Sequence, residues 1–244
     1  YRSMWRGRHL LVEHWLIVLV LAVSGVTLFN SLVYLGLQTT TAINASLMQS
    51  VNPVFIILLS MLLLGNRPRA RQWLGMLVSM AGAVVILTRG DVVVLRELKF
   101  ASGDLFVLLA VFLWGLYTVL LKKVPADLRG MPLLGYTVTL GTILILPFYL
   151  HETLSGRPLV ITSASVASIL YVAIFPSVLA YFFWNHATER IGPERTGQFS
   201  HLIPVFGILI ATLVLGESLQ AYHLAGILLV SAGLLLANFR APDN

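Results

Sequence analysis

The sequence predicts an all-α membrane protein built on inverted repeats of transmembrane helices. Three observations carry that reading. Apolar residues make up 58% of the 244, charged residues only 11%, and mean hydropathy is +0.89. Those proportions leave too little charge to cover a soluble surface. Eight apolar stretches are long enough to cross a bilayer, which takes about 20 helical residues. Finally, a cassette from Pro53 to Gly82 recurs from Pro204 to Gly233, at an offset of 151 residues. Pro53, Val54, Phe55, Gly65, Gly75, Ala81 and Gly82 return as Pro204, Val205, Phe206, Gly216, Gly226, Ala232 and Gly233. One proline and three glycines at fixed offsets each need a backbone reason, so chance is a poor account of them.

The spans are placed at 14–36, 42–64, 70–88, 104–123, 131–150, 164–187, 195–215 and 220–239. Their continuous apolar runs lack the alternation of barrel strands. No span so placed carries Asp, Glu, Lys or Arg in its interior, which argues against a carboxylate proton relay. Twelve basic residues fall on the side of the termini: Arg2, Arg6, Arg8, Arg67, Arg69, Arg71, Lys122, Lys123, Arg129, Arg190, Arg195 and Arg240. Four, namely Arg89, Arg96, Lys99 and Arg157, fall opposite. The bias puts both termini in the cytoplasm. The net charge of +6 is then a topology signal, not a nucleic-acid footprint.

The loop within the first cassette, Gly65 to Gln72, holds three Arg, whereas its partner Gly216 to His223 holds Glu217 and no Lys or Arg. The two loops therefore lie on opposite sides, and the repeats are inverted, with a site expected near the midplane. The second repeat begins near Ser102, with two helices ahead of the stretch that matches residue 14 onward. The offset thus predicts two further helices before Tyr1, eight spans of ten. Residues 1–88 form the first repeat without its first two helices and 89–103 an external connecting loop. Residues 104–239 form the second repeat and 240–244 a cytoplasmic tail.

Pro53 and Pro204 sit near the centres of their spans. Each removes a backbone donor and frees the carbonyl four residues earlier, at Gln49 and Ser200. Those carbonyls should face protein or a water-filled cavity; a kink that only shapes packing is the competing reading. Gly75, Ser79 and Gly82, and Gly226 with Gly233, line single helix faces and read as close-packing surfaces. Asn30 and Tyr34 are four apart, and their repeat partners Tyr181 and Asn185 carry the same pair in swapped order. Helical rise places Asn30 about 8 Å outward of its span's centre and Tyr181 a similar depth inward. The pairs read as polar layers on either side of a central site, or else as interhelical hydrogen bonds.

Gln198 and His201 precede Pro204, while Asn44, Gln49 and Asn52 populate the matching helix. His201 reads either as a packed hydrogen-bonding group or as a proton-responsive one. Trp114, with Tyr117 three residues on, is too deep for an interfacial belt and reads as cavity wall or packing, whereas Trp15, Tyr171 and Trp184 read equally as belt residues. The candidate substrate-binding set is Asn30, Tyr34, Gln49, Asn52, Trp114, Tyr117, Tyr181, Asn185, Gln198 and His201, with Pro53 and Pro204 as kinks. There is no Cys, hence no disulfide or thiolate site, and no cofactor or metal is expected. HExxH, GxSxG and phosphate-loop motifs are absent. The sequon Asn44-Ala45-Ser46 abuts a span and reads as a chance match.

The run AYFFWNHATERIGPERTGQFSHLIPVF, then LVLGES, then AGILLVSAGLLL, resembles the EamA-like family of the drug/metabolite transporter superfamily. The first half resembles it in the same places, through TTTAINASLMQSVNPVFIILLSMLLLGN and GMLVSMAGAVVIL. One departure is Asn66, where the family usually has Glu after Leu-Gly; Glu217 keeps it. The resemblance implies two inverted five-helix repeats around a central cavity. It also implies export of small metabolites such as amino acids across a bacterial inner membrane by alternating access. A non-transporting membrane subunit and a channel are the alternatives. The expected partners are a small-molecule substrate and the lipid bilayer, not nucleic acid; a homodimer is left open.

Overall fold

The computed structural model describes residues 8–156 and 158–238, without the side chains of residues 8–10 and 215. Arg2, Arg6, Arg157 and Arg240 of the charge count, and the tail 240–244, lie outside the described residues. Among the described residues the secondary structure is entirely helical. Among these residues, eight helices are long and apolar enough to cross a membrane: α1 Trp15–Leu37, α2 Ala42–Leu64, α3 Ala70–Leu87, α4 Ser102–Lys123, α5 Met131–Leu154, α6 Ser163–Ile191, α7 Pro193–Val214 and α8 Ala221–Asn238.

Several boundaries differ from expectation; α5, for one, runs on to Leu154 where 150 was expected. α6 runs on to Ile191 because nothing breaks it before Gly192, whose φ of 91° a side chain would resist. Pro193 then opens α7 at the position where a missing N–H is harmless. α4 starts at Ser102, so Asp104 lies inside its first turn and is only 1% exposed. The connection 89–103 is partly helical, Asp91 capping the short helix Val92–Arg96.

Both α2 and α7 break at midspan. α2 is helical over Ala42–Gln49 and again over Asn52–Leu64; α7 is helical over Pro193–Gln198 and Ile203–Leu215, with a 3₁₀ turn at Phe199–Leu202 between. Pro53 and Pro204 each stand in the first turn of the second half, where proline is tolerated. The half-helices Asn52–Leu64 and Ile203–Leu215 keep the offset of 151, as do Ala70–Leu87 and Ala221–Asn238. So do two π-helical segments, Ala22–Leu28 in α1 and Ala173–Leu179 in α6.

α3 and α8 pack backbone to backbone. A methyl group added at Gly75 would sit 2.5 Å from the Gly233 carbonyl oxygen, and one at Gly82 2.8 Å from that of Gly226. The small-residue faces read from the sequence are this contact. At the other side of the fold, Val18, Leu21, Tyr117, Leu121, Leu133, Leu134 and Tyr181 close one apolar core among α1, α4, α5 and α6.

Candidate functional site

The breaks in α2 and α7 meet around a cavity of about 440 Å³, a volume suited to a small metabolite. Its wall comes from six helices. α2 gives Ser46, Gln49, Ser50 and Asn52; α7 gives Ser200, His201, Ile203, Pro204 and Gly207. Phe29 of α1, Ala83 and Leu87 of α3, Val111 and Trp114 of α4, and Trp184 of α6 complete it. None of these residues is charged at neutral pH except through protonation of His201.

His201 clips the two broken helices together. Its Nε2–H donates to the Ser50 carbonyl at 2.9 Å, a carbonyl left free where α2 breaks. Donor and acceptor stand 151 residues apart, so they are repeat partners. A proton on Nε2 leaves Nδ1 to accept from the Ser79 hydroxyl of α3, 2.7 Å away. Both ring nitrogens are satisfied, although the ring borders the cavity. The Gln49 carbonyl keeps no donor at Pro53, as expected. The expectation for Ser200 was different from the outcome: its carbonyl accepts from the Ile203 N–H, because the chain tightens into a 3₁₀ turn. Asn52 is 6% exposed, and its Oδ1 has no hydrogen-bond partner within the protein.

The aromatic wall centres on Trp114. Phe29 lies 4.7 Å from it between ring centroids and Trp184 5.3 Å, while Tyr117 stacks at 5.2 Å behind. Trp184 donates from Nε1 to Thr118 Oγ1 at 3.0 Å, which fixes its ring.

Of the residues singled out from the sequence, Gln49, Asn52, Trp114, His201 and Pro204 line the cavity. Tyr117, Tyr181 and Asn185 sit behind it as a buried network. Tyr117 donates to Asn185 Oδ1 at 2.8 Å; Tyr181 donates to the Gly25 carbonyl at 2.5 Å and accepts from Asn30 Nδ2 at 3.2 Å. Asn30 and Tyr181 therefore meet at one level, instead of forming layers on either side of the midplane. The depth count measured from span centres failed because repeat partners close on each other here. Gln198 is 1% exposed with Oε1 unpartnered, and Pro53 is buried; neither is part of the wall. Tyr34 is 60% exposed and is not part of the wall. Sequence reasoning missed Phe29, Ser46, Ser50 and Trp184. Ser46 and Ser50 are four apart on the helix that carries Gln49, a signal that was available.

Two of the carboxylates outside the cavity accept several hydrogen bonds from other elements. Asp104 accepts from Thr40 Oγ1, from Asn44 Nδ2 at 3.2 Å and from the Ala101 N–H at 2.8 Å. Asn44 is buried by this contact and so is no glycan acceptor. Glu194, in the first turn of α7, accepts from Ser60 Oγ and Asn66 Nδ2 at the far end of α2.

The profile of the EamA-like transporter family matches residues 3–88 and 101–239. The chain belongs to the EamA-like transporter family. Family membership makes it a transporter protein and not an enzyme. An uncharacterized transporter of Archaeoglobus fulgidus is 32% identical over 92% of this chain and 76% of its own length. The uncharacterized transporter YyaM of Bacillus subtilis is 27% identical over 90% of this chain and 72% of its own. A probable terminal-alkyne amino-acid exporter of Streptantibioticus cattleyicolor is 27% identical over 89% and 71%. A crystal structure at 19% identity superposes with a TM-score of 0.72 over 97% of this chain and 82% of that one, a likeness of fold.

Proposed function

We propose that this EamA-like protein exports small neutral or zwitterionic metabolites, amino acids among them, by alternating access around the cavity between two inverted repeats. The observation that carries the reading is the wall itself. It combines Trp114, Trp184 and Phe29 with the hydrogen-bonding groups of Gln49, Asn52 and Ser46 and with no fixed charge. Such a lining suits an amphipathic solute, and the Gln49 carbonyl offers an ammonium group an acceptor. A strongly anionic solute finds no fixed cation there. The amino-acid exporter among the relatives supports the substrate class.

The inverted arrangement is supported by three relations. Helix boundaries recur at one offset. The repeat partners His201 and Ser50, and Asn30 and Tyr181, touch. The contacts Gly75–Gly233 and Gly82–Gly226 also exchange with one another under that offset. In this reading the eight spans belong to a ten-span plan. Arg67, Arg69, Arg71, Lys122, Lys123, Arg129, Arg190 and Arg195 face the cytoplasm of a bacterial cell.

The test is counterflow of labelled amino acids into proteoliposomes. Saturable counterflow that falls in Trp114→Ala at matched protein levels is the expected result. Uptake that is linear in concentration, or unchanged in that variant, would return the protein to the channel or non-transporting classes.

A further inference from the structure

We infer that Glu194, through Ser60 and Asn66, latches a gate at the Arg67–Arg71 face, and that Ser46 and Gly207 form the opposite gate, which stands open. The inference rests on the inverted-repeat reading above.

The first half of α7 is seated tightly on the second half of α2. A methyl group added at Gly197 would lie 2.6 Å from Ile56 Cδ1, and Ile56 is fully buried. Just below this contact, toward the Arg67–Arg71 face, the Glu194 carboxylate takes the Ser60 hydroxyl and the Asn66 amide, the latter at 2.5 Å. Asn66 Nδ2 also reaches Ser60 Oγ at 2.8 Å. Hydrogen bonds to a carboxylate are the stronger kind, and two of them here join the start of α7 to the end of α2.

Shifting Gly197 and Ile56 by the offset of 151, in opposite senses, gives Ser46 and Gly207. In a closed state this pair would bring the first half of α2 onto the second half of α7. Instead both residues line the cavity, and nothing lies within 4 Å of a methyl group built on Gly207. The latch has no polar counterpart: Ser60 and Asn66 correspond to Ala211 and Glu217, and Glu194 to Ile43. Ile43 is 44% exposed and Leu213, beside Ala211, 83%. Part of the wall agrees. Ser46, Ala83, Leu87 and Gly207 all lie in the halves of their helices away from the Arg67–Arg71 face, while Trp184, Ser200 and His201 lie in the halves toward that face. One pair of half-helices is therefore closed and latched while its repeat-related pair is apart. Transport exchanges the two, and release of Glu194 is the step that opens the Arg67–Arg71 face.

The chain lacks cysteine, so single-cysteine probes are clean. Gly207→Cys reports the open gate and Thr196→Cys, 2% exposed in the first half of α7, the closed one. Each is reacted with a membrane-impermeant maleimide in right-side-out and inverted vesicles. Gly207→Cys should react quickly from the face opposite Arg67–Arg71, and Thr196→Cys slowly from either. Adding Glu194→Ala should raise the Thr196→Cys rate and lower the Gly207→Cys rate by about tenfold, as loss of charge-assisted hydrogen bonds shifts a two-state equilibrium. Asn66→Ala, at an exposed position, should move both rates the same way to a smaller extent and guards against misfolding of the Glu194 variant. Fast labelling of Thr196→Cys with Glu194 intact, or rates unmoved by both latch variants, overturns the inference. Absence of counterflow with this labelling pattern intact would count against the transport reading and leave the gate assignment standing.

Discussion

Asn30 Nδ2 donates to the Tyr181 hydroxyl at 3.2 Å, and that hydroxyl donates in turn to the carbonyl of Gly25. The Gly25 carbonyl lies in the π-helical turn of α1, where the regular ladder is interrupted and a carbonyl is available. Tyr181→Phe keeps the ring packed against Trp114 and removes both bonds. The expected loss is about 1–3 kcal/mol of stability, the cost of a buried group left unpaired. Thermal unfolding in detergent checks it; a melting temperature equal to the parent's would show the clasp to be dispensable.

Gly233→Ala should be severely destabilising. Its methyl group would meet the Ser79 nitrogen at 2.4 Å and the Gly75 oxygen at 2.5 Å, backbone atoms that can only yield by separating α3 from α8. Overpacking of this kind costs about 1–3 kcal/mol or more. Gly207→Ala, with open space around it, should melt with the parent. Equal melting of the two variants would contradict the packing described.

Asp104 is a carboxylate with three donors, almost wholly withdrawn from solvent. Asp104→Ala leaves Thr40 without this acceptor and Asn44 with the Lys99 carbonyl in its place, and should loosen the joint between α2 and α4. A loss of about 2 kcal/mol is expected from charged hydrogen bonds of this sort. Limited proteolysis of the 89–101 connection should accelerate; unchanged cleavage would mean that the joint holds without it.

Tyr34→Ala should transport like the parent, because the ring is exposed and is not part of the wall. Trp184→Ala should not. It removes part of the cavity wall and frees Thr118 of its Nε1–H donor. Initial rates of counterflow at matched expression distinguish them, and the reverse order of effects would move the site elsewhere.

The eight spans were legible because apolar length in lipid leaves few alternatives, and the repeat because Pro and Gly punctuate the backbone at fixed places. What was not legible depends on contacts between distant elements. Trp184 read equally as a belt residue with its span ended at 187, whereas α6 continues to Ile191 and places the ring deeper. Glu194 read as loop, since nothing local says that Ser60 and Asn66 will meet it. Asn66 in place of the family's Glu reads only as a departure in the sequence. In the fold, its amide is a donor to Glu194, where a second carboxylate would repel it.

Orientation has a direct reading. Arg69→Cys should react with an impermeant reagent only in inverted vesicles, and Ser218→Cys only in intact cells. Both positions are in the matching loops within the two cassettes, so reaction of both from one side would exclude inversion.

The measurement that goes straight to the central claim is substrate protection at Gly207→Cys. A solute that undergoes counterflow should slow maleimide labelling of this residue in proportion to its occupancy of the cavity. Labelling should in turn block counterflow, since the adduct fills the space where the wall is open. Full-rate labelling under saturating solute, with counterflow surviving the adduct, would place the transport path outside this cavity.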